Sequence, residues 1–139
     1  MPTQRTMAFA RRRNYAVLVH STHAPSDSEW GAYLRALDGW LSEIEGILVV
    51  SNGGGPTSSQ RRSLKELSEK TSRDAQVAML SPSMLARGIV LAISLFYPHI
   101  RAFHPEDMDQ ALTFLRVPSV ERPALLALAE QLRNEVDKA

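Results

Sequence analysis

The segment from Gly46 to Gln60 most constrains what this chain can become. An apolar, β-branched run, Ile47-Leu48-Val49-Val50, passes through Ser51-Asn52 into Gly53-Gly54-Gly55-Pro56 and restarts as the polar, helix-patterned Thr57-Ser58-Ser59-Gln60. That order reads as strand, tight turn and helix entrance. Unpaired backbone N–H groups and the helix dipole at such an entrance favour an anion, whether a ligand phosphate, a carboxylate or a phosphorylated side chain. The loop therefore marks where function is expected to sit.

The same alternation runs through the rest of the chain. Tyr15 to His20 reads as a buried strand, and Thr6 to Phe9 as an edge strand pairing with it through a turn near Arg13-Asn14. Ser26-Asp27-Ser28-Glu29 is a capping-box pattern, after which Trp30, Leu34, Leu37, Leu41 and Ile44 form one helix face that Gly46 ends. Trp40 falls one position off that face, either extending the buried surface or marking a contact. Past the glycine loop, Ser59 to Lys70 is expected to be helical, with Leu64 and Leu67 as its core residues. Its other side carries Arg61, Arg62, Lys65, Glu66, Glu69 and Lys70, so much of it faces water or a partner.

Ala75 to Leu80 is the next expected strand, with Ser81-Pro82 as cap and first position of a helix through Met84, Leu85, Ile89, Val90, Ile93 and Phe96. That helix is apolar over much of its circumference, which calls for cover by the C-terminal helix or a second subunit. His99 to Phe103 is a short strand, and Pro105-Glu106-Asp107 opens a helix through Met108, Ala111, Leu112 and Leu115. Pro118-Ser119 sets off a last helix from about Val120 to Val136, with Leu125, Leu128, Leu132 and Val136 along one side. Strands alternating with helices imply a parallel-rich sheet with helices packed on it, an α/β class.

Bulk properties exclude several function classes. The 139 residues suit one domain. The net charge of +1 gives no global reason to expect nucleic acid as a partner. Arg5, Arg11, Arg12 and Arg13 make a local basic patch, read here as a solvated edge that discourages strand-to-strand aggregation. Without cysteine there is no disulfide framework, thiolate metal site or cysteine nucleophile, which fits a reducing cytoplasm. Met1 to Ala10 has no apolar signal region, and the most apolar later stretch, Met84 to Tyr97, contains Arg87 and is shorter than the roughly 20 residues of a membrane span. The expectation is a cytoplasmic protein without stable membrane insertion.

The order strand, strand, helix, strand, helix, strand, helix, strand, helix resembles the STAS fold of bacterial anti-sigma-factor antagonists. The likeness is most tangible from Val77 to Leu115, where a strand leads into Ser81-Pro82 and a helix with Arg87. Ile100-Arg101-Ala102-Phe103 follows, then an acid-capped helix carrying Gln110-Ala111-Leu112. It lies closer to the divergent STAS/SEC14-type group than to the antagonists themselves. The resemblance implies a single domain over residues 1–139, with a four- to five-stranded, mostly parallel sheet in a core of about 7–116 and an added helix at about 119–137. It also implies a non-catalytic regulatory or protein-binding role. The antagonists carry an Asp-Ser-Ser-Gly-like signature after the third strand, whose serine a partner kinase phosphorylates. Here Ser58 and Ser59 stand at about that place, without the flanking Asp and Gly.

The candidate loop therefore comprises Ser51, Asn52, Gly53, Gly54, Gly55, Pro56, Thr57, Ser58 and Ser59, with Arg61 and Arg62 one turn inward. Thr57, Ser58 and Ser59 are candidate phosphorylation sites. Structural turn, anion or ligand seat, and docking loop are the three readings of this segment. As a nucleotide fingerprint it fails, since no lysine follows the glycines and G-x-G-x-x-G spacing is absent. His20, His23 and His104 follow strands and Asp107 could join them, yet no zinc-like spacing exists, so neither metal nor cofactor is expected. Ser51, Ser58 or Ser59 would need a base for catalysis, and no G-x-S-x-G elbow is present. The acids Glu43 and Glu45, or Glu106, Asp107 and Asp109, read as solvated helix residues. The leading expectation is a non-enzymatic module that docks another protein, a regulator or a second copy through the C-terminal helix. The alternative is a carrier of a small anionic or lipid-like ligand, with its head group on the loop and its tail near Ile89, Ile93 and Phe96.

Overall fold

Strand β2, Tyr15–His20, is buried at every position: Tyr15, Val17 and Val19 face one side, Ala16 and Leu18 the other. A strand apolar on both faces needs a layer of helices on each. The structure, a computed structural model that describes residues 5–70, 75–95 and 99–136, provides both layers. Five strands pair in chain order: β1 Met7–Arg12, β2, β3 Gly46–Ser51, β4 Gln76–Leu80 and β5 Ile100–Phe103. β1 runs antiparallel to β2 as the expected edge strand, through a turn in which Arg13 adopts φ 53°. The other three pairs are parallel, so the sheet is mixed, mostly parallel with one antiparallel edge.

Helices α1, Asp27–Trp40, and α2, Ser58–Ser68, cover one face. There Trp30, Tyr33 and Leu37 bury against Met7, Ala16, Leu18 and Ile47, with Leu64 and Leu67 of α2 half-buried beside them. Trp40 extends this core, its ring edge-on to Phe9 at 6.2 Å. Helices α4, Met108–Phe114, and α5, Arg122–Glu135, cover the opposite face. Leu112, Leu115 and Leu125 are completely enclosed there, each stabilising the fold by roughly 2 kcal/mol relative to exposure. Helix α3, Met84–Ser94, lies against β5. The right-handed crossover rule places it on the α1/α2 side.

Several boundaries differ from the sequence expectation for identifiable reasons. α1 ends at Trp40 and Ile44 is buried in the following turn, while Gly46 opens β3 instead of ending the helix. A Cβ on Gly46 would lie 3.1 Å from the Tyr15 ring and 3.2 Å from Leu115, so close packing explains that glycine. α2 starts at Ser58 because Thr57 is its cap. α3 is capped by Ser83, not Ser81, because the Ser81 N–H donates to the Phe103 carbonyl and carries the sheet ladder one residue further. α5 packs over β1 and β2, far from α3 in the order of the sheet. Its leucine face, expected most simply to pack on its own sheet and otherwise to offer a contact to a second copy or a partner, does pack on the sheet: Leu125, Ala129, Leu132 and Val136 are all buried. Phe96, expected on the apolar helix, lies outside the described residues.

Candidate functional site

Parallel strands place their carboxyl ends along one edge of the sheet, and the polar interior of this protein gathers there. Among the described residues the buried polar side chains are His20, Ser21, Ser51, Gln60 and Ser81. His20, Ser51 and Ser81 stand at or just past the ends of β2, β3 and β4, Ser21 follows His20, and Gln60 sits in the first turn of α2. The glycine loop runs over this edge. In open α/β sheets that is where ligands and partners meet the fold.

The loop is tied down from beneath. The Ser51 hydroxyl donates to the Gly54 carbonyl and accepts from the Gly53 N–H, and the Gly54 N–H donates to the Ser21 carbonyl at 2.9 Å. Gly53 has φ 129°, a conformation that suits glycine alone. Gly54 lies flat against His23, where a Cβ would come within 2.4 Å of the His23 carbonyl oxygen. The triple glycine is thus two separate requirements, one of backbone angle and one of space. A Cβ on Gly55 would meet nothing within 4 Å.

The helix entrance is fastened in the same way. Thr57 Oγ1 accepts from the Gln60 N–H and Gln60 Oε1 accepts from the Thr57 N–H, a reciprocal capping box. The Gln60 amide then donates to the Pro25 carbonyl at 2.9 Å and to Asp27 Oδ1 at 3.1 Å. Its own carbonyl accepts from Trp30 Nε1 at 2.9 Å. Gln60 therefore joins α2 to the start of α1. The spacing Thr57-Ser58-Ser59-Gln60 carries the capping-box signature in plain sequence, whereas nothing local announces Pro25, Asp27 and Trp30 as further partners.

Within the expected anion seat over residues 54–59, the N–H groups of Gly54 and Thr57 are engaged inside the chain. Thr57, Ser58 and Ser59 are exposed, as are Arg61 and Arg62, while Asn52, Gly55 and Pro56 are half-buried. Arg61 donates to the Pro56 carbonyl at 2.9 Å and to Ser58 Oγ at 3.1 Å, folding its guanidinium back over the entrance. Beyond this point α2 buries only Gln60 and presents its charged residues to solvent.

The other sequence candidates fall elsewhere. His20 stacks on Trp30 with centroids 6.3 Å apart, and its Nδ1 is buried without a hydrogen-bond partner. Burial lowers its pKa to about 4, opposed by the nearby Glu29 carboxylate. For Glu29, burial would raise the pKa, but hydrogen bonds from Thr6 and Ser26 outweigh it and bring the carboxyl below its usual value. His23 is exposed, and His104 Nδ1 accepts from the Glu106 N–H. No group of three or more metal-ligating side chains occurs among the described residues.

Of the apolar residues expected to hold a carrier's ligand tail, Ile89 is exposed and Ile93 half-buried, and Phe96 lies outside the described residues. Two open clefts lie away from the loop. One of about 330 Å³ lies between β5 and α4, where Arg101 covers the Phe103 ring at 5.6 Å. The other, about 540 Å³, is lined by Arg11, Arg12 and Arg13 of the β1–β2 hairpin and by α5. Among the described residues no helix is long and apolar enough to cross a membrane. The chain matches no protein-family model, and no curated protein or solved structure is significantly similar to it.

Proposed function

We propose that this chain is a STAS-like, non-catalytic regulatory module that docks another protein through the glycine loop and the outer face of α2, with Ser58 and Ser59 as switch residues. One observation carries the reading. The entrance of α2 is immobilised from below by Gln60, yet it presents Thr57, Ser58 and Ser59 to solvent beside Arg61 and Arg62. A surface meant for recognition benefits from that combination, because little conformational freedom is lost on binding. The order strand, strand, helix, strand, helix, strand, helix, strand, helix, on which the STAS-like resemblance rests, also supports this reading.

Two features favour docking over catalysis. The Ser51 hydroxyl donates to the Gly54 carbonyl, and His20, its register partner on β2, is packed on Trp30. A phosphate on Ser58 or Ser59 would add about −1.5 to −2 charges at pH 7 in the first turn of a helix, where the dipole and the arginines favour it.

The test is comparative affinity capture from cells of origin, using the full chain and its Thr57/Ser58/Ser59 all-alanine and all-glutamate variants. A partner should be retained by one variant and lost by the other. An identical set of captured proteins from all three would refute the switch. Retention of a non-protein mass by the purified chain in native mass spectrometry would favour the carrier instead.

A further inference from the structure

Strand β1 is the outermost strand of the sheet, and its outward edge has no partner among the described residues. At its start the Ser21 N–H donates to the Thr6 carbonyl at 2.8 Å, and the register then runs without a bulge to Arg12 opposite Tyr15. Hydrogen-bonded pairs alternate along an antiparallel ladder, so Thr6, Ala8, Ala10 and Arg12 turn their backbone groups toward β2. The N–H and C=O groups of Met7, Phe9 and Arg11 therefore point away from the sheet. Such an edge is a template for another strand.

Charge beside this edge is of one sign. From Arg5 to Asn14 the chain holds four arginines and no acid. Three are matched from elsewhere: Arg5 by Glu135 at 3.1 Å, Arg11 by Glu43, and Arg13 by Glu121 at 3.6 Å. The pairs of Arg5 and Arg13 join the two ends of β1 to the two ends of α5, and the open cleft of about 540 Å³ lies between hairpin and helix. Ala8 and Ala10 pack on the α5 side of the sheet, so Arg12, two residues further, leaves the strand on that same face and lines the cleft. Among the described residues its guanidinium has neither an acid nor a hydrogen-bond partner. The helix side of the cleft is Ala124, Ala127, Leu128 and Gln131, one uncharged stripe of α5 at i, i+3, i+4 and i+7.

We infer that the β1 edge and this cleft receive an acidic, extended segment of a partner protein, which joins the sheet as an added strand. The edge supplies main-chain hydrogen bonds, the stripe of α5 takes alternate apolar side chains, and Arg12 supplies a charge-assisted bond to a carboxylate. Charge selects this occupant. A second copy of β1 would set arginines against arginines, whereas an acidic segment neutralises them. Nucleic acid suits the arginines alone, since its phosphates would meet the outward carbonyl oxygens of the edge and an apolar stripe. The cleft lies at the hairpin end of β2, and the glycine loop follows β3 at the opposite end of the sheet. The inference therefore stands or falls independently of the docking proposal.

The probe is a fluorescein-labelled octapeptide of alternating valine and glutamate, titrated against the full chain by fluorescence anisotropy. It should bind, and the corresponding valine–lysine peptide should not. Arg12→Glu should weaken binding by about tenfold or more. Its circular dichroism spectrum should match the wild type, because this side chain is exposed and unpaired. The valine–glutamate peptide N-methylated at every amide keeps its charges but cannot donate to a strand, and should not bind. In amide hydrogen exchange followed by NMR, the N–H groups of Met7, Phe9 and Arg11 should exchange readily in the chain alone and become protected when the peptide is added. The inference is overturned if the acidic peptide does not bind, if the lysine or N-methylated peptide binds equally well, if Arg12→Glu keeps full affinity, or if exchange at those three amides is unchanged. Arg12-dependent binding of single-stranded oligothymidylate in place of the peptide would overturn it as well, and assign the arginines to nucleic acid.

Discussion

Lowering the pH should destabilise this protein through one imidazole. His20 is 2 % exposed, stacks on Trp30 and leaves Nδ1 without a partner, so the folded state holds it neutral down to about pH 4, whereas the unfolded chain protonates it near 6.5. The unfolded state therefore binds more protons across that interval. Stability is complete above about 6.5 and is lost as pH falls towards 4. From those two values, the single site costs about 2.5 kcal/mol by pH 4.5 and roughly 3 kcal/mol at its limit. Typical domains have only 5–15 kcal/mol in total, so that is a large loss. Glu29, whose pKa is lowered, also withdraws stability in acid, as pH falls from the ordinary carboxylate value towards its lower folded value, so most of its contribution comes after that of His20. His20→Phe keeps a ring against Trp30 and removes the titration. Urea denaturation followed by circular dichroism between about pH 7 and pH 4.5 should show a steep fall for the wild type and a nearly level line for His20→Phe. Equal slopes for the two proteins would refute the argument.

Two further substitutions test the loop. Gln60→Ala removes the side-chain bonds to Pro25, Asp27 and Thr57 and should cost about 2 kcal/mol in urea denaturation, while Ser59→Ala next to it should change stability by less than about 0.5 kcal/mol. Equal effects would show that Gln60 does not fasten the helix entrance. Gly54→Ala should lower the melting temperature by several degrees because its Cβ overlaps the His23 backbone, whereas Gly55→Ala should be nearly neutral. A tolerated Gly54→Ala would mean that the loop lifts freely from β2.

The alternation of elements, the antiparallel first strand, the solvent-facing charge of α2 and the position of the glycine loop were all legible in the sequence. Each depends on neighbours within a few residues: β-branched runs, hydroxyl caps, and glycine where a turn needs it. The Thr57–Gln60 cap belongs to the same class. The tertiary structure decided how distant segments satisfy one another. Gln60 became a clamp because the crossover between β2 and β3 brings Pro25, Asp27 and Trp30 over the α2 entrance. His20 could be read as a surface histidine after a strand, and only the layer of α1 above it makes it a buried, neutral group. The two apolar C-terminal helices show the limit most clearly. Periodicity marks both α3 and α5 as hydrophobic, but a hydrophobic pattern does not say which neighbour answers it. Chain connectivity lays α5 on β1 and β2 and α3 on β5, where, among the described residues, Met84, Leu85, Leu91 and Leu95 stay exposed, because a helix can bury its face only against what the topology brings within reach.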